Sequence, residues 1–214
     1  MSAILNTQIP RRTVSILLAG LFVMGLFILP AQAQSPEQQV RTMLEKRDRE
    51  IKQAVKPLID NPDGATQAQR DHASSLINDQ IDFEEMGRLA LGKYWADLTD
   101  KQRTEFVDVF STIVRSQSLA DLTAYNATVA YDEINVNGDK AHVKTTARIE
   151  DKKLKVEYLM GLKDGAWWLY DIILDEVGTV DGYAVSFQSY IRKRGFDKFM
   201  ASLYKKRDKI QTRS

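Results

Sequence analysis

The stretch GAWWLYDIILDEV, residues 165–177, places two tryptophans, a tyrosine and a run of isoleucine and leucine inside a charge-rich chain. Read as a strand, alternation sends Trp167, Leu169 and Ile173 to one face and Trp168, Tyr170, Ile172 and Leu174 to the other. Both faces are apolar, so both need a cover. What supplies the second cover, protein or something the protein carries, decides how the whole chain is understood.

Upstream of this stretch the sequence keeps a period of two. Strands are expected over 129–136, 141–149, 154–162 and 166–174. Asn137-Gly138 and Asp164-Gly165 are strong two-residue hairpin signals, and 150–153 is a polar turn. In the second strand Ala141, Val143, Thr145, Ala147 and Ile149 face one side, with His142, Lys144, Thr146 and Arg148 opposite. The third repeats the pattern with Leu154, Val156, Tyr158, Met160 and Leu162 on one side. Only the last strand lacks a polar face.

On either side of the strands the period is helical. Val40, Met43, Leu44, Ile51, Val55, Leu58 and Ile59 recur every three or four residues until Asn61-Pro62-Asp63-Gly64 breaks the helix. A second helix is expected from Thr66 towards Asn78. Asp82-x-x-Glu85 and Thr99-x-x-Gln102 have the form of capping boxes and open two more. Helical patterns return over 183–193 and 197–209, parted by Gly195. Helices, then sheet, then helices is an α+β layout, and the expected architecture is a layer of helices on a curved four-stranded antiparallel sheet.

Residues 1–33 stand apart. Arg11 and Arg12 precede the apolar run 14–29, and Ala31-Gln32-Ala33 is a small-x-small cleavage site, so a secretory leader cut after Ala33 is expected. The apolar run is shorter than the roughly 20 residues of a membrane span. Residues 34–214 are then expected to form a single domain. The chain carries 30 Lys+Arg against 29 Asp+Glu and no cysteine. Near-neutral charge is no nucleic-acid footprint, and an exported chain without cysteine relies on its apolar core.

Catalytic patterns are sparse. His72 and His142 have no partner at metal-ligand spacing, there is no phosphate-binding glycine loop, and no Gly-x-Ser-x-Gly elbow presents a nucleophile. No cofactor and no metal site are expected. Glu84-Glu85 suits the first turn of a helix, where the dipole favours negative charge. Asp171, Asp175 and Glu176 lie beside a surface that should be dry, where they either hold a ligand headgroup or mark where the strand meets water. An enzymatic reading would pair Asp171 with Tyr158 or Tyr170 as acid and base.

The segment IDFEEMGRLALGKYWADLTDKQRTEFVDVF, residues 81–110, is similar to the characteristic segment of the MlaC/toluene-tolerance family of periplasmic phospholipid-binding proteins. The similarity continues through the hairpins into WWLYDIILDEVGTVDGYAVSF, residues 167–187. There the family shows a Trp-x-x-Tyr-Asp run followed by a Tyr and a Phe. The resemblance implies an α+β fold enclosing an apolar cavity for acyl chains, with the headgroup towards solvent. It also implies a shuttle role between an outer-membrane lipoprotein complex and an inner-membrane ABC transporter complex; a monomer without enzymatic activity is expected. Ala184 stands where the family has a basic residue. A carrier of hopanoid-related lipid, as in the paralogue of hopanoid gene clusters, is the second reading within the same fold.

On this reading the cargo is a phospholipid or related envelope lipid, and the tail-facing residues are expected on four parts of the chain. Helices contribute Met86, Leu89, Phe106 and Phe110. The middle strands contribute Val143, Val156, Tyr158 and Met160, and the last strand Trp168, Tyr170 and Ile172. Val177, Tyr183 and Phe187 follow it.

Overall fold

A computed structural model describes residues 34–212; the expected leader, residues 1–33, lies outside them. Six helices and five strands follow in the order α1 (Pro36–Asp60), α2 (Gln67–Asn78), α3 (Phe83–Leu91), α4 (Asp100–Ser118), β1 (Thr128–Asn137), β2 (Lys140–Ile149), β3 (Lys152–Lys163), β4 (Ala166–Leu174), β5 (Val177–Gly178), α5 (Thr179–Arg194) and α6 (Phe196–Gln211). Short 3-10 turns follow α3 and α4. The α+β class and the curved antiparallel sheet are as expected. The strand count is not: the two residues of β5 add a fifth strand.

Local chemistry explains the helix starts. Ser35 accepts from the Gln38 amide with Pro36 at the first helical position, where its missing N–H costs nothing. Thr66 with Gln69 and Thr99 with Gln102 form complete capping boxes. At α3 only half of the expected box forms. Asp82 accepts from the Glu85 amide at 2.9 Å, but the Glu85 carboxylate turns to grip Arg88 through two hydrogen bonds of 2.7 and 2.8 Å, so the reciprocal arm is given up for an ion pair.

The sheet runs β1-β2-β3-β4-β5, each pair antiparallel. Asp164 and Gly165 both take positive φ, the geometry that the two-residue turn between right-twisted strands requires. The first hairpin turns one residue later than expected. Asn137 pairs with Lys140, so Gly138-Asp139 makes the turn, with Gly138 supplying the single positive φ.

β2 and β3 pair without interruption, whereas both flanking strands carry a bulge. The β1–β2 register shifts between Tyr131 and Glu133, which keeps Val129, Tyr131, Ile134 and Val136 on one face despite the change from odd to even numbers. The β3–β4 register shifts likewise: Leu159 pairs with Asp171 and Met160 with Leu169, leaving Tyr170 as the extra residue. Strict alternation along β4 is therefore overturned. Trp167 and Leu169 share a face with Ile172 and Leu174, while Trp168 and Tyr170 lie on the opposite face. Bulges of this kind bend a strand and raise its twist, which accounts for curvature at both sides of an otherwise regular ladder.

The outer edge of β4 is closed twice. Asp82 donates its amide to Leu169 O and Leu169 donates to Gln80 O, both at 2.8 Å; further along, Gly178 of β5 pairs with Ile173. An edge covered in this way cannot template another chain.

Candidate functional site

The buried residues separate into four clusters. One is wholly helical, built from α3, α4, α5 and α6 around Met86, Phe106, Phe110, Phe187 and Phe199. The second lies between the N-terminal half of α1 and the sheet, with Val40 against Ala141, Val143, Met160 and Trp167. The third joins the C-terminal half of α1 to α2, and the fourth gathers Ala127, Ala147 and Val156 with Leu154, Tyr158 and Ile172 around them. No strand residue belongs to the helical cluster, and no residue of α3 to α6 belongs to either sheet cluster. A domain normally has one contiguous core with small satellites. Here the inward face of the sheet and the helical layer each pack on their own.

Half-buried tyrosines stand at the seams. Tyr158 touches both sheet clusters, Tyr131 belongs to the second and Tyr125 to the third. Burial raises the Tyr125 hydroxyl to about 12, and burial likewise pushes those of Tyr131 and Tyr158 up. The Tyr125 hydroxyl donates to Ser118 O at 2.9 Å. Their rings offer an apolar body with a polar tip, and at neutral pH all three stay uncharged.

The residues expected to face acyl tails fall into three places. Met86, Leu89, Phe106, Phe110, Tyr183 and Phe187 are together in the helical cluster. Phe106 stacks on Phe110 at 5.4 Å between centroids, and Phe187 meets both edge-on at 6.1 and 5.8 Å. Val143, Val156, Tyr158, Met160 and Ile172 share the inward face of the sheet. Trp168, Tyr170 and Val177 are elsewhere. Val177 is 69% exposed on β5.

Trp168 and Tyr170 line a groove of about 300 Å³ on the other face of the sheet, with Glu85, Arg88, Lys140 and Lys163. Lys140 sits over the Tyr170 ring at 4.9 Å from its centroid, and Lys163 reaches Asp82 at 3.6 Å. The second apolar face of β4 is thus covered in part by cations and their stems.

Asp171 is buried, with only 6% of its surface exposed, and its carboxylate accepts from the Val180 amide at 3.0 Å. Burial raises its pKa, opposed by that bond and by others from the backbone of Ile172 and Thr179. The N-cap of α5 is Gly178, which has no side chain to offer; Asp171 supplies the missing acceptor from the neighbouring strand. Its hydrogen bonding serves the start of α5 and does not involve Tyr158 or Tyr170. Among the described residues no group of three His, Asp or Glu side chains could hold a metal ion, and no helix is long and apolar enough to cross a membrane.

Sequence reasoning missed Arg47, which occupies the middle of the inward stripe of α1, and the bulge at Tyr170. The stripe itself gives the signal for the first: counting in threes and fours from Met43 and Leu44 lands on Arg47 before Ile51.

The family model described as MlaC protein matches residues 45–205. Among curated proteins nothing matches. Among solved structures, a phospholipid-binding protein from Ralstonia solanacearum, determined in complex with a phospholipid, superposes with a TM-score of 0.65 at 21% identity. The match covers 82% of this chain and 98% of that one. At that identity the likeness concerns the fold.

Proposed function

Because the chain belongs to the MlaC protein family, we propose that it is a periplasmic lipid carrier, exported by a leader that ends at Ala33. It holds the acyl chains of a phospholipid or related envelope lipid and shuttles them between outer- and inner-membrane complexes. The observation that carries this reading is the division of the core. The inward face of the sheet, with Val143, Val156, Tyr158, Met160 and Ile172, packs separately from the helical layer. Tails would lie between the two, against that face and the Phe110–Tyr183 edge of the helical cluster, whose rings stand 5.0 Å apart. The phospholipid bound by the Ralstonia solanacearum protein of the same fold supports the choice of cargo.

The physical need is plain. Exposing two acyl tails, roughly 30 methylenes at about 0.8 kcal/mol each, sets a barrier on the order of 20 kcal/mol to crossing water unaided. A protein interior that replaces the bilayer as apolar solvent removes most of it. Transfer is then near neutral, and direction comes from the partners.

Protein purified from the periplasm and extracted with organic solvent should yield phospholipid or a related envelope lipid in stoichiometric amount by mass spectrometry. Folded protein that carries no lipid, and takes none from vesicles after delipidation, contradicts the reading.

A further inference from the structure

We propose that Arg47 is the anion-recognition point of the carrier, taking the phosphodiester oxygens of a phospholipid headgroup at the seam between α1, the end of α2 and α4. This rests on the carrier reading given above.

Arg47 sits on the inward stripe of α1 with apolar neighbours on both sides. Val40, Met43 and Leu44 precede it in the cluster packed on the sheet, and Ile51, Val55 and Leu58 follow it in the cluster packed on α2. Of its neighbours one turn away, Met43, Leu44 and Ile51 carry no charge, and Glu50 is paired with Lys46. Every other acid from the second turn of α1 onward is already engaged: Glu45 with Arg41 at 3.9 Å, Glu50 with Lys46 at 3.7 Å, Asp48 with Lys52 at 2.7 Å and Asp60 with Lys56 at 2.6 Å. Among the described residues, the Nε of Arg47 is the one buried side-chain nitrogen or oxygen without a hydrogen-bond partner. A buried N–H left without an acceptor is costly, and an anion that reaches this nitrogen removes the cost.

The acid at the end of α2 does not fill that role. Asp79 accepts from the Ser75 hydroxyl and pairs with Arg115 at 3.2 Å. Its carboxyl is held below the usual range by the Ser75 hydrogen bond and Arg115, with a lesser contribution from Arg47. Arg47 therefore lies in the field of a carboxylate that already has Arg115 as its ion-pair partner. The site adjoins the inward face of the sheet, since Met43 and Leu44, one turn before Arg47, pack in the cluster that includes Tyr131 and Tyr158. A planar guanidinium whose buried Nε–H has no partner, beside an apolar surface, suits a phosphodiester joined to acyl chains.

The test offers delipidated protein two kinds of vesicle, doped with phosphatidylglycerol or with diacylglycerol of identical chains, and separately inorganic phosphate. The wild type should take up phosphatidylglycerol at least about tenfold better, the discrimination of one charge-assisted hydrogen bond. Arg47→Met, which keeps the apolar stem, should take up both equally, and Arg47→Lys should recover part of the preference. Should Arg47→Met fail to fold, the side-chain Nε–H resonance of wild-type Arg47 must shift with phosphatidylglycerol and stay fixed with diacylglycerol. Equal uptake of both lipids by wild type, or a preference that survives Arg47→Met, overturns the proposal while leaving the carrier reading intact. An Nε–H shift with inorganic phosphate alone, without lipid preference, assigns Arg47 to a free anion and overturns it too. Uptake of neither lipid overturns the carrier reading itself.

Discussion

Tyr158 on β3 stands directly opposite Ile172 on β4, and both border the apolar cluster around Val156. Their shared face looks inward, while Trp168, four residues before Ile172, lines the groove on the other side. Ile172→Asp should therefore reduce co-purified lipid to less than about a tenth, since a carboxylate buried without a partner is strongly disfavoured. Trp168→Asp should leave the lipid content of folded protein unchanged. Lipid extraction from both variants, with circular dichroism as the control for folding, decides between them.

Gly87 makes room for Phe106. A Cβ at position 87 would lie 2.7 Å from Phe106 Cε1, and Phe106 is fully buried in the helical cluster. Gly87→Ala should destabilise the fold by about 1–3 kcal/mol, the usual effect of overpacking, despite alanine's better helix propensity. A lowered urea midpoint with an unchanged slope is the expected result.

The capping box at Thr99 and Gln102 holds the start of α4, the helix that carries Phe106 and Phe110. Thr99→Ala should cost about 1 kcal/mol, and Thr99→Ser should cost much less. Thermal denaturation of the two variants side by side checks the difference.

Tyr125 carries a pH prediction. Its hydroxyl pKa is raised from 10.0 to about 12 by burial first, then by Tyr158 and Asp121. Below pH 10 the proton is bound in both the folded and unfolded states, and the full contribution to stability is present. Between pH 10 and about 12 the unfolded chain ionises first, so stability falls as pH rises through that window. The loss attributable to this residue is about 2 kcal/mol. Tyr125→Phe should flatten the alkaline slope of the urea midpoint, and tyrosinate absorbance should show a fraction of the tyrosines resisting ionisation until that pH.

Much of the architecture is legible because its causes are local. Helix starts follow from Ser35, Thr66 and Thr99, and hairpins from Gly138 and Asp164-Gly165. The faces of β4 are not legible, because a bulge is a property of register between two strands and Tyr170 bears no local mark of being the extra residue. For the same reason the run Trp167 to Leu174 divides differently from simple alternation. Trp168 and Tyr170 are aromatic, as a residue facing an acyl chain would be, but their partners are Lys140 and the α3 charges. Asp171 shows the converse. It is the acid that a search for chemistry singles out, and its carboxylate caps α5 because Gly178 cannot.

The most direct test places acyl tails on one face of the sheet. A phospholipid spin-labelled near the end of a tail, loaded into isotope-labelled protein, should broaden the Ile172 and Val143 methyl resonances and the Trp167 indole N–H, leaving the Trp168 indole N–H sharp. Broadening confined to Trp168, or none at all in protein that has bound the lipid, contradicts the account.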